Sequence, residues 1–99
     1  MKFITNNKEK TAKAIFTVLN EKGLHTRPST ELVKCANLFN CTIHFYYKNY
    51  MVNGKSILGV LMLAAEKGAK ITIEAKGRDA KKAINAILKL AIKKFLIKY

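Results

Sequence analysis

The 99-residue chain contains one proline, no tryptophan, two cysteines and six carboxylates. A single proline beside 49% apolar residues excludes a proline-rich or disordered chain and points to a compact fold. Cys35 and Cys41 fit neither a C-x-x-C redox motif nor a metal-finger spacing, so both are expected as buried thiols acting as small hydrophobes. No apolar run reaches membrane-spanning length, and Met1–Thr11 lacks an apolar signal core. A cytoplasmic protein without membrane insertion is expected. There is no P-loop, no metal-ligand cluster and no carboxylate pair near a candidate site. Nothing calls for a metal or other cofactor, and nothing looks like a stand-alone catalytic apparatus.

The shortage of carboxylates leaves nineteen Lys and Arg against six Asp and Glu, a net charge of +13. Such a charge invites a nucleic-acid or anionic-membrane reading, and Tyr46, Tyr47 and Tyr50 beside lysines could form a stacking platform. All the cations except Arg27 and Arg78 are lysines, many at positions expected on solvated helix faces. No RNP motif or GXXG loop accompanies them, so a lysine-coated surface without a specific nucleic-acid partner is the reading.

What is present is one domain's worth of alternating elements. Met1–Thr11 shows no period and reads as an extension; residues 1–12 are set apart from a domain over 13–99. Lys13–Asn20 is β-branched and aromatic, a strand. A helix from Thr26 to about Asn37 turns Leu32, Val33 and Ala36 inward. Thr42–Tyr47 alternates with period two and turns at Lys48-Asn49 into Tyr50-Met51-Val52, a hairpin. Ser56 is placed to cap a short helix over Ile57–Ala65, ended by Gly68. That helix is apolar nearly all round, so part of it should face outward. Lys70–Ala75 is a strand with Ile71, Ile73 and Ala75 on one face. Asp79 then caps the longest helix, with Ala80, Ala83, Ile84, Ile87, Leu88, Ala91, Ile92 and Phe95 as its core stripe. His44 reads as a structural or surface strand residue.

The organising stretch is Gly23-Leu24-His25-Thr26-Arg27-Pro28. Pro28 is tolerated only in a first helical turn, so His25 falls at the cap. The free amides of Thr26 and Arg27, the helix dipole and the Arg27 guanidinium then converge on an anion site beside an imidazole. On the residues alone this is either a phosphoryl acceptor or a plain helix start.

Gly23–Pro28 resembles the active-site signature of HPr, the histidine-containing phosphocarrier of the phosphoenolpyruvate:sugar phosphotransferase system. Val52–Val60 is similar to that family's regulatory-serine segment, and Gly68–Ala80 to its last strand and the turn into its final helix. The resemblance implies an α+β fold: an open-faced β-sandwich in the order β-α-β-β-α-β-α. Its four-stranded, mostly antiparallel sheet has the order 1-4-2-3 and carries three helices on one face. It implies a carrier whose His25 takes a phosphoryl group on Nδ1, with Arg27 and Thr26 assisting. The donor is enzyme I, charged by phosphoenolpyruvate, and the acceptors are sugar-specific IIA components. Ser56 becomes a regulatory site for an HPr serine kinase/phosphorylase. Leu58, Leu61, Met62, Thr30, Lys34 and Lys55 become the partner surface of a monomer. The alternatives are a basic nucleic-acid-binding domain, which leaves Gly23–Pro28 without a purpose, and a regulatory paralogue that does not relay phosphate.

Overall fold

A computed structural model describes residues 10–99. Four strands, β1 (Thr11–Thr17), β2 (Thr42–Tyr47), β3 (Tyr50–Asn53) and β4 (Lys70–Lys76), form one sheet in the order β1-β4-β2-β3. All three pairings are antiparallel. Three helices, α1 (Thr26–Ala36), α2 (Ile57–Met62) and α3 (Ala80–Ile92), complete the expected order, and a short 3-10 turn (Lys94–Leu96) follows α3. The fold is the open-faced α+β arrangement.

Period-two alternation decides which face of the sheet meets the helices. Phe16 lies opposite Ile71, while Phe45 lies opposite both Ile73 and Val52, so one face carries a continuous apolar row. Leu32, Val33 and Ala36 of α1 pack into this core, as do Ala80, Ala83, Ile84, Ile87 and Ala91 of α3. Phe16 stands edge-on to Phe45 with ring centroids 6.1 Å apart, and edge-on to Phe95 at 5.8 Å. The opposite face bears the polar half of the alternation. There Tyr46 Oη donates to Glu74 Oε1 at 2.9 Å, and Lys13 Nζ lies 3.6 Å from Glu74 Oε2. Half-buried His44 occupies the same face, in register with Glu74 and Asn53.

Several boundaries differ from the sequence reading. The first strand begins at Thr11, not Lys13, and Thr11 and Ala12 pair with Lys76 and Ala75. Thr11 and Ala12 thus belong to the sheet, and residues 1–9 of the expected extension lie outside the described part of the chain. The helix opened by Ser56 stops at Met62 instead of Ala65, because Ala64 already has a left-handed φ of 49°. Gly68, with φ 90°, serves the turn into β4 rather than the helix end. Asp79 occupies the N-cap of α3 but makes no capping bond; its Oδ2 accepts from Asn40 N at 2.8 Å and ties the strand-to-helix turn to the loop before β2.

The last apolar positions of α3 also depart from the stripe. Ile92 is 73% exposed, since it stands about 100° round the helix from buried Ala91. Phe95 does reach the core, but not as a continuation of the helix. Lys94, Phe95 and Leu96 have φ of 54°, 56° and 65°, three left-handed non-glycine residues in succession. Each costs roughly 1–2 kcal/mol on its own. Burial of the whole Phe95 ring against Phe16 offsets part of that cost, and buried Ile97 with the Asn20 bonds to Lys94 O and Tyr99 O holds the rest of the tail.

Candidate functional site

The site is assembled by a turn that only glycine can make at its first position. Gly23 has φ +73°, and a Cβ there would collide with the Ala65 carbonyl oxygen. Gly23 N donates to Asn20 O at 3.0 Å and Leu24 N to Ala65 O at 2.9 Å, so the turn is stitched to the loop after α2. Leu24 is buried, and Ser29 Oγ donates back to Leu24 O at 3.0 Å beneath it. These contacts fix the residue between them, His25, while leaving it exposed.

His25 is the N-cap of α1, with extended backbone (φ −73°, ψ −174°) and no side-chain capping bond. Its carbonyl accepts the first helical bond, from Ser29 N at 3.0 Å. Pro28 has no N–H, so the Thr26 and Arg27 amides are the first-turn donors without an intrahelical acceptor. The imidazole is free of any capping task and lines a cavity of about 410 Å³ with Lys22, Thr26, Leu61, Ala64 and Glu66. A group seated there meets helix-start donors, one lysine and one carboxylate. Among the described residues no group of three or more His, Cys, Asp or Glu is placed to hold a metal ion.

The remaining sequence-predicted residues fall into three places. Exposed Arg27 lies two residues after His25, its Nη1 donating to Tyr99 Oη at 3.1 Å. On the next turn Thr30 Oγ1 donates to Thr26 O at 2.8 Å, and Lys34 lies 3.6 Å from Glu31. Leu58 (70% exposed) and Met62 (67% exposed) project from α2, and half-buried Leu61 joins that apolar face to the His25 cavity. Ser56 caps α2, its Oγ accepting from Gly59 N at 3.0 Å. Lys55 is tied down: its Nζ donates to Phe39 O at 2.7 Å, joining the exit of α1 to the start of α2. Both cysteines are unpaired and half-buried, and burial pushes their thiols above the usual range.

Three residues at this site carry no local sequence signal. Asn20 is fully buried and donates through Nδ2 to Lys94 O and Tyr99 O, each at 2.9 Å; its Oδ1 has no partner among the described residues. Tyr99 receives Arg27 on its hydroxyl, and its ring centroid lies 5.0 Å from Lys22 Nζ. Lys22 was merely one lysine among many in the sequence.

Comparison with known proteins agrees with this geometry. The PTS-HPr family, described as the PTS HPr component phosphorylation site, matches residues 12–93. The crystal structure of HPr-C-His from Thermoanaerobacter tengcongensis superposes with a TM-score of 0.84 at 32% identity, covering 89% of this chain and 99% of that one. A mycoplasma histidine-containing phosphocarrier protein gives 0.80 at 38% identity, covering 89% of this chain and 100% of its own. An HPr dimer from Thermoanaerobacter tengcongensis gives 0.69 at 33% identity, covering 96% and 98%.

Proposed function

The chain belongs to the HPr family of phosphotransferase-system phosphocarriers, and from that premise we propose that His25 accepts a phosphoryl group from phospho-enzyme I and passes it to sugar-specific IIA components. The observation that carries this reading is the exposed imidazole at the start of α1, beside first-turn amides with no intrahelical acceptor.

Phosphoryl transfer asks a carrier for an in-line nucleophile and positive groups around the equatorial oxygens. His25 attacks through Nδ1 and forms a P–N bond as the bond from phosphorus to the donor's nitrogen breaks. The helix-start amides, with Thr26 supplying one of them, and the Arg27 guanidinium take up the charge on the oxygens. The phosphoramidate is labile enough to be passed on. The carrier has no catalytic base of its own in this reading and reacts while docked to its partners.

Docking uses the apolar face of α2. Leu58 and Met62 are exposed on a six-residue helix, and Leu61 connects them to the His25 cavity. Thr30, Lys34 and Lys55 are assigned to the margin of the same surface, Lys55 through its backbone and stem, since its ammonium is engaged. Ser56 is the regulatory site for an HPr serine kinase/phosphorylase. A phosphate there would keep the helix cap but set about two negative charges beside Leu58, opposing an acidic partner surface. The carrier works as a monomer in the cytoplasm, its domain beginning with β1 at Thr11 rather than at residue 13.

The relay is tested by reconstitution. Phosphoenolpyruvate, enzyme I and an IIA component are incubated with and without the chain, and phosphate on IIA is measured by intact mass. Labelling of IIA only when the chain is present, and not with His25→Ala, is expected. A chain that becomes phosphorylated but leaves IIA unlabelled would instead be the non-relaying regulatory paralogue.

A further inference from the structure

We propose that Tyr99 is a positioning residue for phosphoryl transfer, holding Arg27 and Lys22 in place beside His25. The assignment rests on His25 being the phosphoryl acceptor. Arg27 and Lys22 are the cations nearest His25 in the chain, and both meet one side chain. Arg27 Nη1 donates to Tyr99 Oη at 3.1 Å, its guanidinium carbon lies 6.0 Å from the Tyr99 ring centroid, and Lys22 Nζ lies 5.0 Å from the same centroid. Lys22 also lines the His25 cavity.

The chemistry of the phenol suits this task better than a carboxylate would. A carboxylate would pair with Arg27 and cancel the charge that the phosphoryl oxygens need. The neutral hydroxyl accepts one N–H of the guanidinium fork and leaves the others available. Among the described residues Arg27 forms no ion pair, so its charge stays undiminished. The ring attracts both cations through its face without neutralising either.

A contact at an exposed tail counts for little unless the tail is held, and here it is. Fully buried Asn20 donates to the backbone oxygens of both Lys94 and Tyr99 at 2.9 Å. Its own carbonyl accepts Gly23 N at 3.0 Å in the turn that presents His25. One side chain and its backbone therefore couple the active turn to the tail. Phe95 plugs the core between them, and the chain adopts three consecutive left-handed residues to make the bend. Tyr99 is delivered to Arg27 by strained backbone whose anchors are buried.

The test is a double-mutant cycle on the full chain. Initial rates of phosphorylation by enzyme I and phosphoenolpyruvate are measured for the wild type, Tyr99→Phe, Arg27→Ala and the double variant, with thermal midpoints alongside. Tyr99→Phe keeps the ring and the fold, and should lower kcat about fivefold with KM little changed, as loss of a preorganising hydrogen bond does. In the Arg27→Ala background the same change should have no further effect. Equal rates for wild type and Tyr99→Phe, a faster variant, or the same loss in both backgrounds would overturn the assignment. A wild-type chain that takes no phosphoryl group at all would instead overturn the acceptor reading itself.

Discussion

At the scale of single residues, the site divides into side chains that a short motif announces and side chains that only the fold brings in. His25, Arg27 and Ser56 were legible because each sits at a helix start, where a missing N–H or a hydroxyl has a defined local task. Asn20 and Tyr99 were not, since their contact spans 79 positions and neither belongs to a local pattern. Two predictions belong here. Arg27→Ala should leave the thermal midpoint nearly unchanged, because the residue is exposed, while transfer from enzyme I slows by about tenfold or more. A large fall in midpoint with an unchanged rate would make Arg27 structural. Asn20→Asp should destabilise far more than Asn20→Ala, because it sets a buried carboxylate against two backbone oxygens where the amide donated to both. Chemical denaturation of the two variants checks the order.

At the scale of elements, periodicity located each helix and strand but not where most of them end. β2 was read at its observed bounds, and the inward residues of α1 and β4 were the expected ones. The ends of α2 and α3 are set by left-handed residues at Ala64 and at Lys94–Leu96, conformations imposed by tertiary packing that no propensity announces. Phe95→Ala should therefore cost about 3–5 kcal/mol and release the tail, read as lost stability together with faster amide exchange over 94–99. On α2, Ser56→Ala should cost about 1 kcal/mol through the lost bond from Gly59 N. Ser56→Asp keeps an equally good cap, so its midpoint should hold while affinity for enzyme I falls. The bare face of the sheet carries a pH dependence. The hydrogen bond from Tyr46, with Lys76 and Lys13, holds the Glu74 carboxyl below its ordinary range. A lowered folded value means stability that is present above the unfolded carboxylate range and lost as pH falls through the folded one. Glu74→Gln should accordingly flatten the acid side of the stability curve, and an unchanged slope would show that the pair contributes nothing.

At the scale of the whole molecule, the net charge of +13 stands outside the carrier chemistry. Among the described residues the carboxylates of Glu21, Glu31 and Glu74 are each paired to a lysine, and most cations lie on exposed faces. No helix among the described residues is long and apolar enough to cross a membrane. Nucleic-acid binding should be weak, indifferent to sequence and steeply reduced by salt, because counterion release supplies nearly all of it. Docking on enzyme I through the proposed α2 face should survive the same salt better, since Leu58, Leu61 and Met62 would add apolar contact that ions do not screen. Parallel titrations at low and physiological salt separate the two. The overall topology was legible because three motif blocks stand in family order; the charge was legible as a number only, and its distribution needed the fold.

Whether His25 carries the phosphoryl group is read directly by intact mass spectrometry after incubation with phosphoenolpyruvate and enzyme I. The chain should gain one phosphoryl group that acid removes and alkali spares, as for a phosphoramidate, and His25→Ala should gain none. An acid-stable adduct, or full phosphorylation of the His25→Ala variant, would contradict the acceptor role of His25.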